Sequence, residues 1–133
     1  MLKQLVPLLL VLMVMLVACG KTDASAPSNT YERVSMSEGL ARMESDEHYI
    51  LLDVRRADEF ESGHIPGAIN LPNEEIGTEE IHALPDKSQT IYVYCRSGNR
   101  SRQAADKLLA LGYTNIIEFG GILDYTGELE YGK

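Results

Sequence analysis

Apolar positions change their spacing several times along the chain, and each change marks an element. From Leu8 to Ala18 the run is unbroken, preceded by Lys3 and ended by Cys19 and Gly20. A membrane span needs about 20 apolar residues, so this stretch is short for a span but has the length of a signal-peptide hydrophobic region. KTDASAPSNT, residues 21 to 30, is small and polar and reads as a flexible tether. YERVS (31 to 35) is a short strand, and Ser35 with Glu38 stands at capping-box spacing to open a helix over 35 to 45. HYILLDV (48 to 54) is a continuous apolar run of strand length, the kind that lies in a sheet buried on both faces.

RADEFESG (56 to 63) predicts a short helical turn ended by Gly63, and HIPGAINLP (64 to 72) a turn, a short strand and a stop. NEEIGTEEIHALPD (73 to 86) predicts a helix with Ile76, Ile81 and Leu84 inward, closed by Pro85. TIYVYC (90 to 95), dense in β-branched and aromatic residues, is a second buried strand. In SRQAADKLLALG (101 to 112), Ala104, Ala105, Leu108, Leu109 and Leu111 form an apolar helix face. Arg102, Gln103, Asp106 and Lys107 turn toward water, and Gly112 supplies the stop. NIIEFGG (115 to 121) is a third buried strand, followed by a short closing helix. Strands alternating with helices predict an α/β domain over 31 to 133, three layers deep, with a mostly parallel central sheet and helices on both faces. Ligands in such sheets bind beyond the C-terminal strand ends.

Composition adds bounds. A chain of 133 residues with 44% apolar and 24% charged residues holds one soluble domain. The apolar run ends in LVAC (16 to 19), which resembles the lipobox of bacterial lipoproteins. That resemblance implies a signal peptide over 1 to 18, cleavage before Cys19, a lipid on Cys19 and a linker over 19 to 30. The domain would then hang from the cell membrane or an outer membrane on its extracytoplasmic side. The alternative is an ordinary signal peptide or uncleaved anchor, which also places the domain outside the cytoplasm. Removing Lys3 from twelve basic residues leaves 11 against 20 acidic ones, a formal charge of −9. That balance excludes nucleic acid, whose affinity rests on Lys and Arg meeting phosphates, and a polybasic membrane patch.

The chain has two cysteines, so with lipid on Cys19 the other, Cys95, has no partner within the chain. A lone thiol outside the cytoplasm is a liability unless it works; the bland reading is a buried, inert Cys. Its neighbours decide. Cys95 ends an apolar strand, a helix begins just beyond, and RSGN (96 to 99) lies between. Such a loop curls so that backbone N–H groups converge near the sulfur, and the helix N-terminus adds positive dipole. Converging donors with Arg96 and Arg100 nearby stabilise thiolate over thiol and would hold an anionic substrate group. His48, His64 and His82 show no metal-ligand spacing, so neither a metal nor a cofactor is expected.

LLDVRRADEFESGHIPGAINLP (51 to 72), CRSGNRS (95 to 101) and FGGILDY (119 to 125) together resemble a single-domain rhodanese, the sulfurtransferase family. The resemblance implies that Cys95 is catalytic and carries sulfur as a persulfide. It also implies that the N–H groups of Arg96, Ser97, Gly98, Asn99 and Arg100 stabilise that anion. Arg96 and Arg100 attract the donor, although Arg100 reads equally as a loop brace, and Arg102 as solvated. Asp53 and Arg55 are expected to pair behind the site, and His64 to be structural. The six-residue span from Cys95 to Arg100 suits sulfur; phosphatase relatives have one residue more. The implied reaction moves sulfane sulfur from thiosulfate or a related anionic donor to cyanide or a thiol, with the protein acting as a monomer. The other reading is a persulfide carrier or thiol redox sensor with little free turnover. Two departures stand out: Tyr125 where the family often has Trp, and an acidic tail, GELEYGK, without the usual proline.

Overall fold

The computed structural model describes residues 30–133, and the expectations for the signal peptide, Cys19 and most of the linker lie outside the described residues. Five strands form one sheet: β1 (Glu32–Arg33), β2 (Tyr49–Asp53), β3 (Ile69–Asn70), β4 (Thr90–Cys95) and β5 (Ile116–Gly121). Their order is β1-β5-β4-β2-β3, and every neighbouring pair is parallel. The fold is α/β, as the alternation of elements predicts.

Alternation along β4 separates two cores. Ile91, Val93 and Cys95 point to the face covered by α3 (Asn99–Ala110), where Ala104, Ala105 and Leu108 pack against them together with Leu52 and Val54. Tyr92 and Tyr94 point to the opposite face, against Met36 and Met43 of α1 (Met36–Glu44), Leu51 and Phe119. A strand buried on both faces has to be apolar at every position, which is why TIYVYC carries no charge. Ser35 caps α1 through its hydroxyl, which accepts from the Glu38 N–H at 3.2 Å. The third helix, α2 (Ala57–Glu61), is a short turn beside β2 and is closed by Gly63 at φ +142°.

The expected helix over 73 to 86 does not form. A single 3-10 turn at Asn73–Glu75 is followed by irregular chain, yet Ile76 and Leu84 are buried as expected. Asn73 explains the difference. Its backbone carbonyl and Oδ1 accept from Lys107 Nζ at 2.8 and 3.1 Å, and its Nδ2 donates to Gln103 Oε1 at 2.9 Å. Contacts to α3 thus pin the start of the segment through the Asn73 carbonyl and side chain, and tertiary bonding overrides propensity. The same bonds draw Lys107 and Gln103 out of their expected purely solvated roles. The closing element is a 3-10 turn, Ile122–Asp124, and the tail returns to pair Glu130 with His64 through backbone bonds of 2.8 and 2.9 Å.

Candidate functional site

Cys95 is the last residue of the central strand β4, and the chain turns at once through 96 to 98 into α3. Gly98 makes the turn: it is the residue before α3, at φ +108°, a conformation that favours glycine. Its N–H points inward and donates to Cys95 Sγ at 3.0 Å. The sulfur therefore sits at the N-terminal end of a 12-residue helix with an amide donor on it, an arrangement that favours negative charge. The Cys95 residue is only 1% exposed, whereas Arg96, Ser97 and Asn99 face solvent.

Three supports hold the loop. On one side Arg100 donates two parallel bonds to Glu59 of α2, 2.6 and 3.0 Å. Of its two expected roles Arg100 stands in the bracing position. The guanidinium, opposed by burial, holds the Glu59 carboxyl down to about 2, and the Arg56 N–H adds a bond of 3.0 Å. Arg100 is in turn raised by Glu59. On the other side β5 presses against the loop. A β-carbon on Gly121 would lie 2.1 Å from the Arg96 carbonyl oxygen and 2.5 Å from the Ser97 nitrogen, so only hydrogen fits there. Beneath the loop, Ser101 and Glu118 form a third support: the Ser101 hydroxyl is 2.6 Å from Glu118 Oε1 and 3.5 Å from Cys95 Sγ.

The family model for the rhodanese-like domain matches residues 35–128, from the start of α1 into the tail. The chain belongs to the rhodanese-like family. It is 41% identical over 78 residues to the thiosulfate sulfurtransferase PspE of Escherichia coli, covering 59% of this chain and 73% of that protein. With the putative sulfur carrier protein YrkF of Bacillus subtilis it shares 31% identity over 112 residues, 84% of this chain and 60% of the relative. A solved rhodanese with anions from E. coli is 38% identical, with a TM-score of 0.57 over 63% of this chain and 99% of that one. The two curated relatives are named for sulfur transfer and sulfur carriage respectively.

Within this rhodanese-like domain Asp53 and Arg55 form a buried pair at 2.7 Å, and Arg55 also donates to the Gly63 carbonyl at 2.7 Å. The pair ties the end of β2 to the GHIPGA turn. Tyr94 assists: burial, then Asp53, pushes its phenol well above its ordinary value, so its neutral hydroxyl oxygen accepts the Ile65 N–H at 3.1 Å. His64 stacks on Phe60, ring centroids 3.6 Å apart, within this support. Arg102 differs from its solvated expectation. It is half-buried and donates to the Gly98 carbonyl at 3.2 Å, adding a clamp on the loop.

Glu59, Ser101 and Glu118 were not marked by sequence reasoning. For Glu118 a signal existed, a lone carboxylate inside the apolar run NIIEFGG. Glu118 continues the regular pairing of β5 with β4, opposite Val93 and on the α3 side of the sheet, and only after it does the register shift, so that Gly121 faces Cys95. The bulge frees the Gly120 N–H from the ladder, and it donates to Glu118 Oε1 at 3.0 Å.

Proposed function

We propose that this protein is a sulfurtransferase in which Cys95 takes the outer sulfur of thiosulfate or a related anionic donor and passes it to cyanide or a small thiol. The observation that carries the reading is the Gly98 N–H directed at Sγ, at the mouth of α3, in a loop of the six residues 95–100. The Cys95 thiolate attacks the sulfane sulfur, an Sγ–S bond forms, and the donor's S–S bond breaks with its electron pair leaving on sulfite. The persulfide carries its charge on the outer sulfur, about 2 Å beyond Sγ, where the loop amides of residues 96–100 and the helix dipole offset it. A thiophile then attacks that sulfur, and the pair of the breaking bond returns to Sγ. Exposed Arg96 is placed to draw the donor to the loop of a strongly acidic chain.

Treatment with thiosulfate is expected to add one sulfur atom to the intact mass, and cyanide to release thiocyanate, with Cys95→Ser doing neither. A wild-type chain that gains no sulfur, or a Cys95→Ser chain that turns over normally, ends the reading. A second reading, a persulfide carrier or thiol sensor, draws support from the near-complete burial of Cys95; it predicts sulfur gain with slow release to cyanide.

We further infer that the domain acts as a monomer tethered through lipid on Cys19 to the extracytoplasmic side of a cell or outer membrane. LVAC at 16 to 19 behind its apolar run supports this. A Cys19→Ser chain should lose acylation and partition into the soluble fraction; full retention of both lipid and membrane binding would sink the claim.

A further inference from the structure

The persulfide chemistry above leaves one step without an agent: something must take the proton that the Cys95 thiol gives up. Among the described residues no histidine is hydrogen-bonded to the sulfur, but a buried hydroxyl and a buried carboxylate stand behind it. Ser101 is 0% exposed and Glu118 is 2% exposed. From Cys95 Sγ to Ser101 Oγ the distance is 3.5 Å, and from Ser101 Oγ to Glu118 Oε1 it is 2.6 Å.

A serine hydroxyl has one proton and two lone pairs. Around Ser101 Oγ stand Glu118 Oε1 at 2.6 Å, the Gly98 carbonyl at 3.0 Å, the Gly120 carbonyl at 3.4 Å and Cys95 Sγ at 3.5 Å. The three oxygens accept from the hydroxyl when Glu118 is ionised, and the carboxylate, nearest and charged, claims its proton. The lone pairs of Ser101 are then left for the thiol. The chain of bonds runs in one direction, from S–H to O–H to carboxylate.

We propose that Glu118 is a positioning residue that receives, through Ser101, the proton shed by Cys95 as its sulfur becomes the nucleophile. The thiol proton passes to Ser101 Oγ while the Ser101 proton passes to Glu118 Oε1, so one carboxylate becomes a carboxylic acid and one thiol becomes a thiolate. Ser101 then donates to the sulfur, and protonated Glu118 donates to Ser101. Net charge in the buried site is unchanged. Losing the proton to solvent would instead leave two like charges separated by one hydroxyl, which is costly where both groups are nearly fully buried. When an acceptor removes the outer sulfur and the electron pair returns to Sγ, the proton travels back by the same route.

The outer edge of Glu118 borders a cavity although the residue itself is nearly fully buried. Its Oε2 lies 3.4 Å from Arg33 Nε of β1, and it lines an open polar cavity of about 450 Å³ with Arg33, Glu38 of α1, Ser97 and Arg102 of α3. The charged groups that share this cavity with Glu118 are thus the basic Arg33 and Arg102 and the acidic Glu38. On the sulfur's side stand the start of α3 and the Arg100 guanidinium, itself paired with Glu59.

The proposal uses the sulfurtransferase reading for its purpose, but its test reads the thiol alone. In the full-length chain, the rate at which iodoacetamide alkylates Cys95 is followed by mass spectrometry of the Cys95 peptide between about pH 4 and pH 10. Two groups sharing a proton titrate as a pair, so the wild-type rate should rise in two steps. Glu118→Gln, which keeps the shape but cannot take the proton, should show one step, and so should Ser101→Ala. Ser101→Thr, which restores the hydroxyl, should recover two. Between the wild-type steps the wild-type rate should exceed that of Ser101→Ala about tenfold, one pH unit's worth of thiolate.

Thermal melting establishes that each variant is folded; should Glu118→Gln fail to fold, the serine pair decides by the same criterion. A single step in wild type, or the same number of steps in wild type and Ser101→Ala, overturns the relay. A one-step profile in a chain that still gains sulfur removes the relay alone. Two steps in a chain that gains no sulfur keep the relay and remove the sulfurtransferase reading.

Discussion

Two glutamates hold the loop of Cys95, and they do so by different physics. Glu59, on the α2 side, is half-buried and meets a guanidinium head-on, so its charge is neutralised where water still reaches it. Glu118, on the β5 side, is nearly fully buried and meets a hydroxyl, an amide and the edge of a mostly exposed arginine. A carboxylate matched by a cation is a brace, kept ionised until strongly acid pH. One matched mainly by neutral donors keeps chemistry in hand. The sides also differ in what restrains the loop: ion pairing on one, and on the other a backbone approach so close that a methyl group cannot enter.

The largest effect should come from the packed side. Gly121→Ala puts a β-carbon into the Arg96 backbone and should cost roughly 3 kcal/mol in urea unfolding, at the upper end of overpacking penalties. Removing the charge of the brace with Glu59→Gln should cost about 1 kcal/mol, because a partly exposed pair is screened by water even when bidentate. If Glu59→Gln proved the more damaging of the two, the contrast between the sides would be inverted. Acid should remove the brace more gently. Glu59 titrates near 2 in the folded protein against 4.5 ordinarily, so its folded value is depressed. Its contribution is therefore present above about pH 4.5 and is lost as pH falls toward 2. A plot of stability against pH should be steeper for wild type than for Glu59→Gln in that window. Smallest of all is salt: raising it from about 0.1 M to 1 M should weaken wild type by a few tenths of a kcal/mol and leave Glu59→Gln nearly unmoved.

The path from β4 through the loop into α3 was legible because its signals are local. TIYVYC can be little else than a buried strand, Gly98 is the residue a left-handed turn selects, and the alanines and leucines of 101 to 112 keep helical spacing. The segment after Asn73 was not, since its inward residues satisfy a helical spacing while Asn73 gives its polar groups to Lys107 and Gln103, 34 and 30 positions away. Cys95 stood out by its flanks. Its partners Ser101 and Glu118 did not: a serine at the start of a helix looks like an ordinary terminus, and only the pairing of Glu118 with Val93 in the folded sheet sets the carboxylate on the α3 side. Glu59 failed to register for a related reason, because its counter-ion Arg100 is 41 residues distant and only the stacking of α2 beside the loop joins them.

The position of β4 has one more consequence. With parallel neighbours on both sides and a helical layer over each face, it is the strand whose amides should exchange with deuterium last. Fraying of the outer strands β1 and β3 therefore cannot uncover the sulfur, and reagents must come by the loop mouth. That makes the site a sieve by size: small anions and small thiols should modify Cys95 in the native protein, while bulky thiol reagents should wait for near-global unfolding.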